Sequence, residues 1–203
     1  MKYTLSALVS ILLLFACEPN STLATNKNNS NNITIIIQPF VDFKPNEAQA
    51  VMLEIKKYYN KVIINKPIQF PPNSLNPTHT RRRADSIIKY LSTQTKPGCR
   101  TIGLTHTDIS TTKDNKSDWG VMGLGFCPGK SCVASTFRLH GNNRFEKLVK
   151  VALHELAHTE GLQHCPEPTC LLRDAQGKDH LNEEKAFCAS CKKYLIQKGW
   201  ELK

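Results

Sequence analysis

The chain has 203 residues, of which 40% are hydrophobic and 22% charged, and a formal net charge of +10. That length holds one domain with short extensions and a core that needs no stapling, and the composition excludes both a disordered chain and a membrane-embedded one. The positive charge would raise nucleic acid as a partner in the cytosol, but the N-terminus predicts export, so no nucleic acid is expected.

Residues 1–17, "MKYTLSALVSILLLFAC", place Lys2 ahead of an apolar run from Leu5 to Ala16 that is too short to span a bilayer, and they read as a signal peptide. The run closes on Leu14-Phe15-Ala16-Cys17, which resembles a bacterial lipobox, in which the cysteine is lipidated and begins the mature chain. Phe15 is bulkier than that pattern usually holds, so cleavage by an ordinary signal peptidase stands as the alternative. Residues 18–32, "EPNSTLATNKNNSNN", are too polar to offset the entropy of ordering and are expected to be a disordered tether. The expected arrangement is an exported bacterial lipoprotein, on the periplasmic side of a membrane or at the cell surface, with a folded domain over 33–203.

Within that domain, "ITIIIQPF" (33–40) reads as a buried strand, and "PNEAQAVMLEIKKYYN" (45–60) as a helix with Ala48, Met52, Ile55 and Tyr59 inward. "KVIINKPIQF" (61–70) predicts a second strand and "PPNSLNPTHT" a loop. "RRRADSIIKYLS" (81–92) predicts an amphipathic helix with its three arginines on a solvated face. A third strand is expected over 99–110, and a hairpin or strand pair from 119–126 and 131–141. This alternation predicts an α/β fold with a mixed, mainly parallel sheet. From Asn142 the period turns helical, with Phe145, Leu148, Val149, Ala152 and Leu156 on one buried stripe.

That helix runs into "HELAHTEGLQHC" (154–165). Four helical residues turn through about 400°, so His154 and His158 lie about 40° apart and both rings can meet one metal. Glu155 is placed to take a proton from a metal-activated water without joining the coordination sphere. Gly161 allows a turn with positive φ that brings His164 back as a third ligand. Three neutral imidazoles leave zinc an open fourth position, and the spacing HExxHxxGxxH is the metzincin signature.

Cys165 follows at once, then Cys170, then the C-x-x-C pair Cys188 and Cys191. Four thiolates from two knuckles can close a tetrahedral structural zinc. Together, "HELAHTEGLQHCPEPTCLL" and "FCASC" resemble the archaemetzincin family, as do "TIGLTHTDIS" and "WGVMGLGF" with "VASTFRL" before the helix. The resemblance covers most of 33–203. It implies a compact metzincin-like zinc peptidase with a C-terminal cysteine-rich subdomain and two Zn2+ per chain. The catalytic zinc would sit on His154, His158 and His164, with Glu155 as general base, and the structural zinc on Cys165, Cys170, Cys188 and Cys191. One departure is visible: Leu172 stands where the family carries the methionine of the turn beneath the catalytic zinc, keeping an apolar floor without the thioether.

In an oxidising compartment the cysteines could instead pair as 165–170 and 188–191, but short knuckles suit a metal better than tight disulfide loops. A local Cys127–Cys132 disulfide around "PGKS" is expected, leaving Cys99 over, and His79, His106, His140 and His180 are assigned to packing or solvent. The expected partners are a peptide or protein substrate, held extended along the sheet edge made by 119–139, and the membrane, with the protein a monomer. The competing reading is a lipid-anchored zinc scaffold with little or no turnover. Glu155 argues against it, because a scaffold has no need of a base beside an open metal position.

Overall fold

The computed structural model describes residues 33–202, so the expected signal peptide (1–17) and tether (18–32) lie outside the described residues. Strand β1 (Thr34–Pro39) is the hub, because its isoleucines at 35 and 37 are fully buried and β-branched side chains suit a covered pleat. It pairs in parallel with β2 (Val62–Ile64) on one side and β4 (Cys99–Thr105) on the other. Beyond β4 come β8 (Ser131–Ser135), parallel to β4, and then β7 (Gly123–Gly125), antiparallel, on the outer edge. The sheet order is β2-β1-β4-β8-β7, a mixed, mainly parallel sheet as expected from the alternation of elements.

Helices cover both faces. Helix α1 (Pro45–Ile55) and α3 (Arg144–Thr159) share the larger core with Ile35, Ile37, Ile102 and Ala134, whereas α2 (Ala84–Gln94) packs with Phe40 and Val133 on the opposite side. Period two explains the split along β8, since Cys132 and Ala134 face one way and Val133 the other. α1 ends at Ile55, five residues earlier than the sequence suggested, and Val51 rather than Met52 is fully buried in its stripe. β2 stops at Ile64, three residues before Pro67, which cannot donate to a ladder.

Other boundaries differ because of long-range pairing. The three arginines precede α2 rather than riding on it: Arg82–Arg83 form β3, which joins β5 (Ile109–Lys113) and β6 (Lys116–Val121) in a second sheet. Arg81 turns back to the buried carboxylate of Asp108 at 2.8 Å and to Asp118 at 3.1 Å. The segment 119–126 therefore divides, its first part pairing with β5 and its last with β8. Phe145 is exposed at the opening of α3, while Leu148, Val149, Ala152 and Leu156 are buried as predicted.

After α3, residues 160–188 contain no helix and no strand of a sheet; two isolated bridges, Cys165 to Arg173 and Cys170 to Ala186, pin the segment before α4 (Ala189–Gln197). A connection of that length inside a compact domain calls for a staple or a function, and this one carries the cysteines. Among the described residues no helix is long and apolar enough to cross a membrane.

Candidate active site and metal centres

The last turns of α3 carry His154 and His158. Each ring is fixed through Nδ1, His154 on the Leu171 carbonyl and His158 on the Leu162 carbonyl, both at 2.6 Å. A carbonyl only accepts, so both Nδ1 atoms carry the hydrogen, and in a neutral imidazole Nε2 is then a bare lone pair. The two Nε2 atoms face each other at 2.9 Å. Two acceptors at that distance repel unless a cation lies between them. Burial, reinforced by the neighbouring imidazoles, lowers His154 to about 3, and burial also lowers His158, so a proton does not fill the role near neutrality. The arrangement fits a metal ion. The 2.9 Å spacing is a few tenths below the roughly 3.3 Å that a tetrahedral zinc with nitrogen ligands sets.

His164 completes the set. Gly161 holds φ at +102°, its N–H bonds the His158 carbonyl at 2.8 Å, and the chain doubles back as that residue type permits. One donor atom from each of the three histidines lies within 4.8 Å of the others. Asp174 Oδ2 stands 3.8 Å from His164 Nδ1, in the place of a carboxylate that orients a ligand ring. Leu172 is fully buried, directly after the residue whose carbonyl fixes His154.

Glu155 is buried beside these histidines, and burial alone raises its carboxyl to about 8. A divalent charge on the adjacent imidazoles would draw that value down into the range where the group works as a base. Its carboxylate lies flat on edge strand β7. A Cβ at Gly123 would sit 2.6 Å from Glu155 Oε1, and one at Gly125 would sit 2.8 Å from its backbone oxygen. Sequence reasoning missed both glycines as site residues; the alternation in "GLG" was the available signal. β7 also lines one wall of a cleft of about 870 Å³ that takes in the three histidines and Glu155, with residues 173–179 opposite.

The second cluster lies next to the first in sequence. One Sγ from each of Cys165, Cys170, Cys188 and Cys191 falls within 4.8 Å of the others. Cys165 and Cys188 stand 3.7 Å apart, which is the edge of about 3.8 Å set by sulfurs 2.3 Å from a tetrahedral zinc and far from a disulfide bond length of about 2 Å. All four are free thiols, so the disulfide alternative does not hold. Although burial opposes it, Cys188 is drawn down to about 6 by hydrogen bonds from Ser190 and from the Cys191 backbone, which favours the thiolate a metal needs.

The Cys127–Cys132 disulfide is also absent. Cys132 pairs with Gly125 and is sealed in the core, whereas Cys127 lies beyond β7 with its thiol on the Leu162 carbonyl and receiving Gln163 Nε2, both at 3.1 Å. Cys99 is free as well. His106 is held between Glu47 and Thr136, consistent with packing, whereas His140 lines the cleft.

The sequence model described as Peptidase family M54 matches residues 74–197, more than half of the chain. The chain belongs to peptidase family M54. It is similar to archaemetzincins over most of its length: that of Halobacterium salinarum is 25% identical over 174 residues, covering 79% of this chain and 98% of the relative. The archaemetzincin of Archaeoglobus fulgidus, solved with malonate, superposes with a TM-score of 0.67 at 25% identity, over 80% of this chain and 99% of that one. A zinc-dependent peptidase from Methanocorpusculum labreanum shares the fold, with a TM-score of 0.66 at 19% identity over 79% and 99% of the two chains. This M54 chain is thus a zinc-dependent metallopeptidase with the archaemetzincin fold.

Proposed function

We propose that His154, His158 and His164 hold the catalytic zinc, that Glu155 is the general base, and that Cys165, Cys170, Cys188 and Cys191 hold a second, structural zinc. The observation that carries this reading is the pair of Nε2 lone pairs turned on each other at 2.9 Å beside a buried carboxylate. A zinc held by these three histidines would supply Lewis acidity, polarising a scissile carbonyl and acidifying a water. Glu155 takes the proton that the water gives up and passes it to the leaving amine. The open edge of β7 holds the substrate backbone extended by main-chain pairing, directly against Glu155. Leu171 and Leu162 keep the two imidazoles in one tautomer through their carbonyls.

The cysteine knuckles tie 165–170 to the start of α4 and so hold the segment that supplies the Leu171 carbonyl and Asp174. The chain is proposed to be exported and lipid-anchored through Cys17, a reading supported by the N-terminal sequence pattern, and to act as a monomer. Metal content measured by mass spectrometry tests the two-site reading. Two zincs per wild-type chain, one in His158→Ala, one in Cys188→Ala, and peptide cleavage abolished in Glu155→Ala are expected. A single zinc retained in Cys188→Ala with one in the wild type would remove the structural site.

A further inference from the structure

Past His154 the cleft continues along α3, between Val151 and the loop 179–184. Val151 precedes His154 by three residues, so about 4.5 Å of helix rise separates this recess from the metal ligands. The loop is anchored to the helix: Lys147 Nζ meets Asp179 Oδ2 at 2.6 Å, and Lys150 Nζ donates to the carbonyls of Leu181 and Glu184 at 2.8 and 2.9 Å.

Within the recess one ionisable group has a carboxyl oxygen without a hydrogen-bond partner among the described residues. Glu184 lines the cleft, is 4% exposed, and its Oε2 is buried without a hydrogen-bond partner. Neither nearby lysine gives that oxygen a hydrogen bond, although Lys150 is close enough to act on the carboxyl by charge. Lys147 is committed to Asp179, and the three hydrogens of the Lys150 ammonium are matched by the two carbonyls and by Glu146 Oε1 at 2.8 Å. Arg173 directs Nη1 to Glu183 and to the Pro168 carbonyl and reaches Glu184 only by charge. Leaving a buried carboxylate oxygen unmatched is unfavourable, and folded chains keep such a group where something outside the fold completes it.

We propose that Glu184 is a specificity-determining residue, the base of a subsite that receives a lysine or arginine side chain from a substrate residue flanking the scissile bond. Val151 and Leu181 offer apolar walls for the aliphatic stem, and the charged head then reaches the carboxylate. The terminal torsion of a glutamate is soft, so a small rotation turns an oxygen toward the arriving cation. The inference rests on the peptidase reading for its position relative to the scissile bond, but its test does not require turnover.

The test uses peptides identical except for Lys, Arg or Leu at the residues flanking the bond, binding to the zinc-loaded Glu155→Gln chain by fluorescence anisotropy. The Lys and Arg peptides are expected to bind at least tenfold tighter than the Leu peptide. Glu184→Gln on that background brings the ratio to about one at unchanged zinc content, while the exposed neighbour Glu183→Gln preserves it. Equal affinity for Lys and Leu peptides, or a preference that survives Glu184→Gln, overturns the proposal. A basic preference in binding, with no peptide cut by the wild-type chain, sustains the subsite and overturns the catalytic reading.

Discussion

Replacing Gly123 with alanine probes how Glu155, the proposed general base, is held. The new Cβ would fall 2.6 Å from Glu155 Oε1, 2.7 Å from Cγ and 2.9 Å from Cδ. Restoring contacts of 3.0–3.4 Å requires the carboxylate to retreat by about 0.4–0.8 Å. The clash is with the end of a side chain rather than with backbone, so the fold adjusts cheaply and the displacement falls on the reacting group. A misplacement of about 1 Å costs on the order of 100-fold in rate, and a tenfold loss corresponds to about 1.4 kcal/mol. Gly123→Ala is therefore expected to lower kcat by about 10- to 100-fold, with zinc content at wild-type level. The assay is steady-state cleavage of a quenched fluorescent peptide, with metal stoichiometry measured on the same samples. Wild-type kcat in a fully metallated Gly123→Ala chain would refute the claim that β7 positions the carboxylate.

Cys191→Ser should lower the zinc content from two to one and depress Tm by roughly 10 °C, given that about 3 kcal/mol corresponds to roughly 6–12 °C for a chain of this size; calorimetry with metal analysis reads both. Gly161→Ala forces a side chain onto φ of +102° and brings its Cβ to 3.2 Å from Tyr194 Oη. The resulting strain of about 1–2 kcal/mol should displace His164 and weaken zinc binding at the histidine site by about tenfold, measured by chelator competition. Burial raises the Glu184 carboxyl to about 7, opposed by Lys150 and Arg173 and assisted by Asp179 and Glu183. The folded state then keeps a proton that the unfolded chain releases near 4.5, so this contribution is complete below pH 4.5 and is lost as pH rises to 7. Denaturation of the wild type against Glu184→Gln across that window should show the wild type losing more stability, on the order of 1–2 kcal/mol once solvent screening is allowed for; parallel curves would contradict it.

The histidine site was legible in the sequence because its geometry is local. Helical rotation sets His154 and His158 on one face, and Gly161 supplies the positive φ that returns His164, so the spacing of residues along the chain already determines the cluster. The cysteine knuckles are local in the same sense within each pair. Segment boundaries were less legible where a distant partner intervened. The "RRR" run reads as a helical face until Asp108, buried and in need of a counter-charge, claims Arg81 and Arg138, both at 2.8 Å. "WGVMGLGF" reads as one strand until two different neighbours, β5 and β8, divide it.

By itself, then, the sequence pointed to the metal-binding side chains, the α/β class with a mainly parallel sheet and the family resemblance, all of which depend on identity and spacing over a few residues. Only the tertiary structure decided which carbonyls fix the imidazoles, that two glycines from the sheet edge lie against Glu155, that Cys127 and Cys132 stay apart, and that Glu184 reaches the cleft unpaired. The separations differ, from four residues for His158 and Leu162 to about thirty for the glycines and Glu155, but each contact follows from how the whole core packs and where each buried polar group finds its partner.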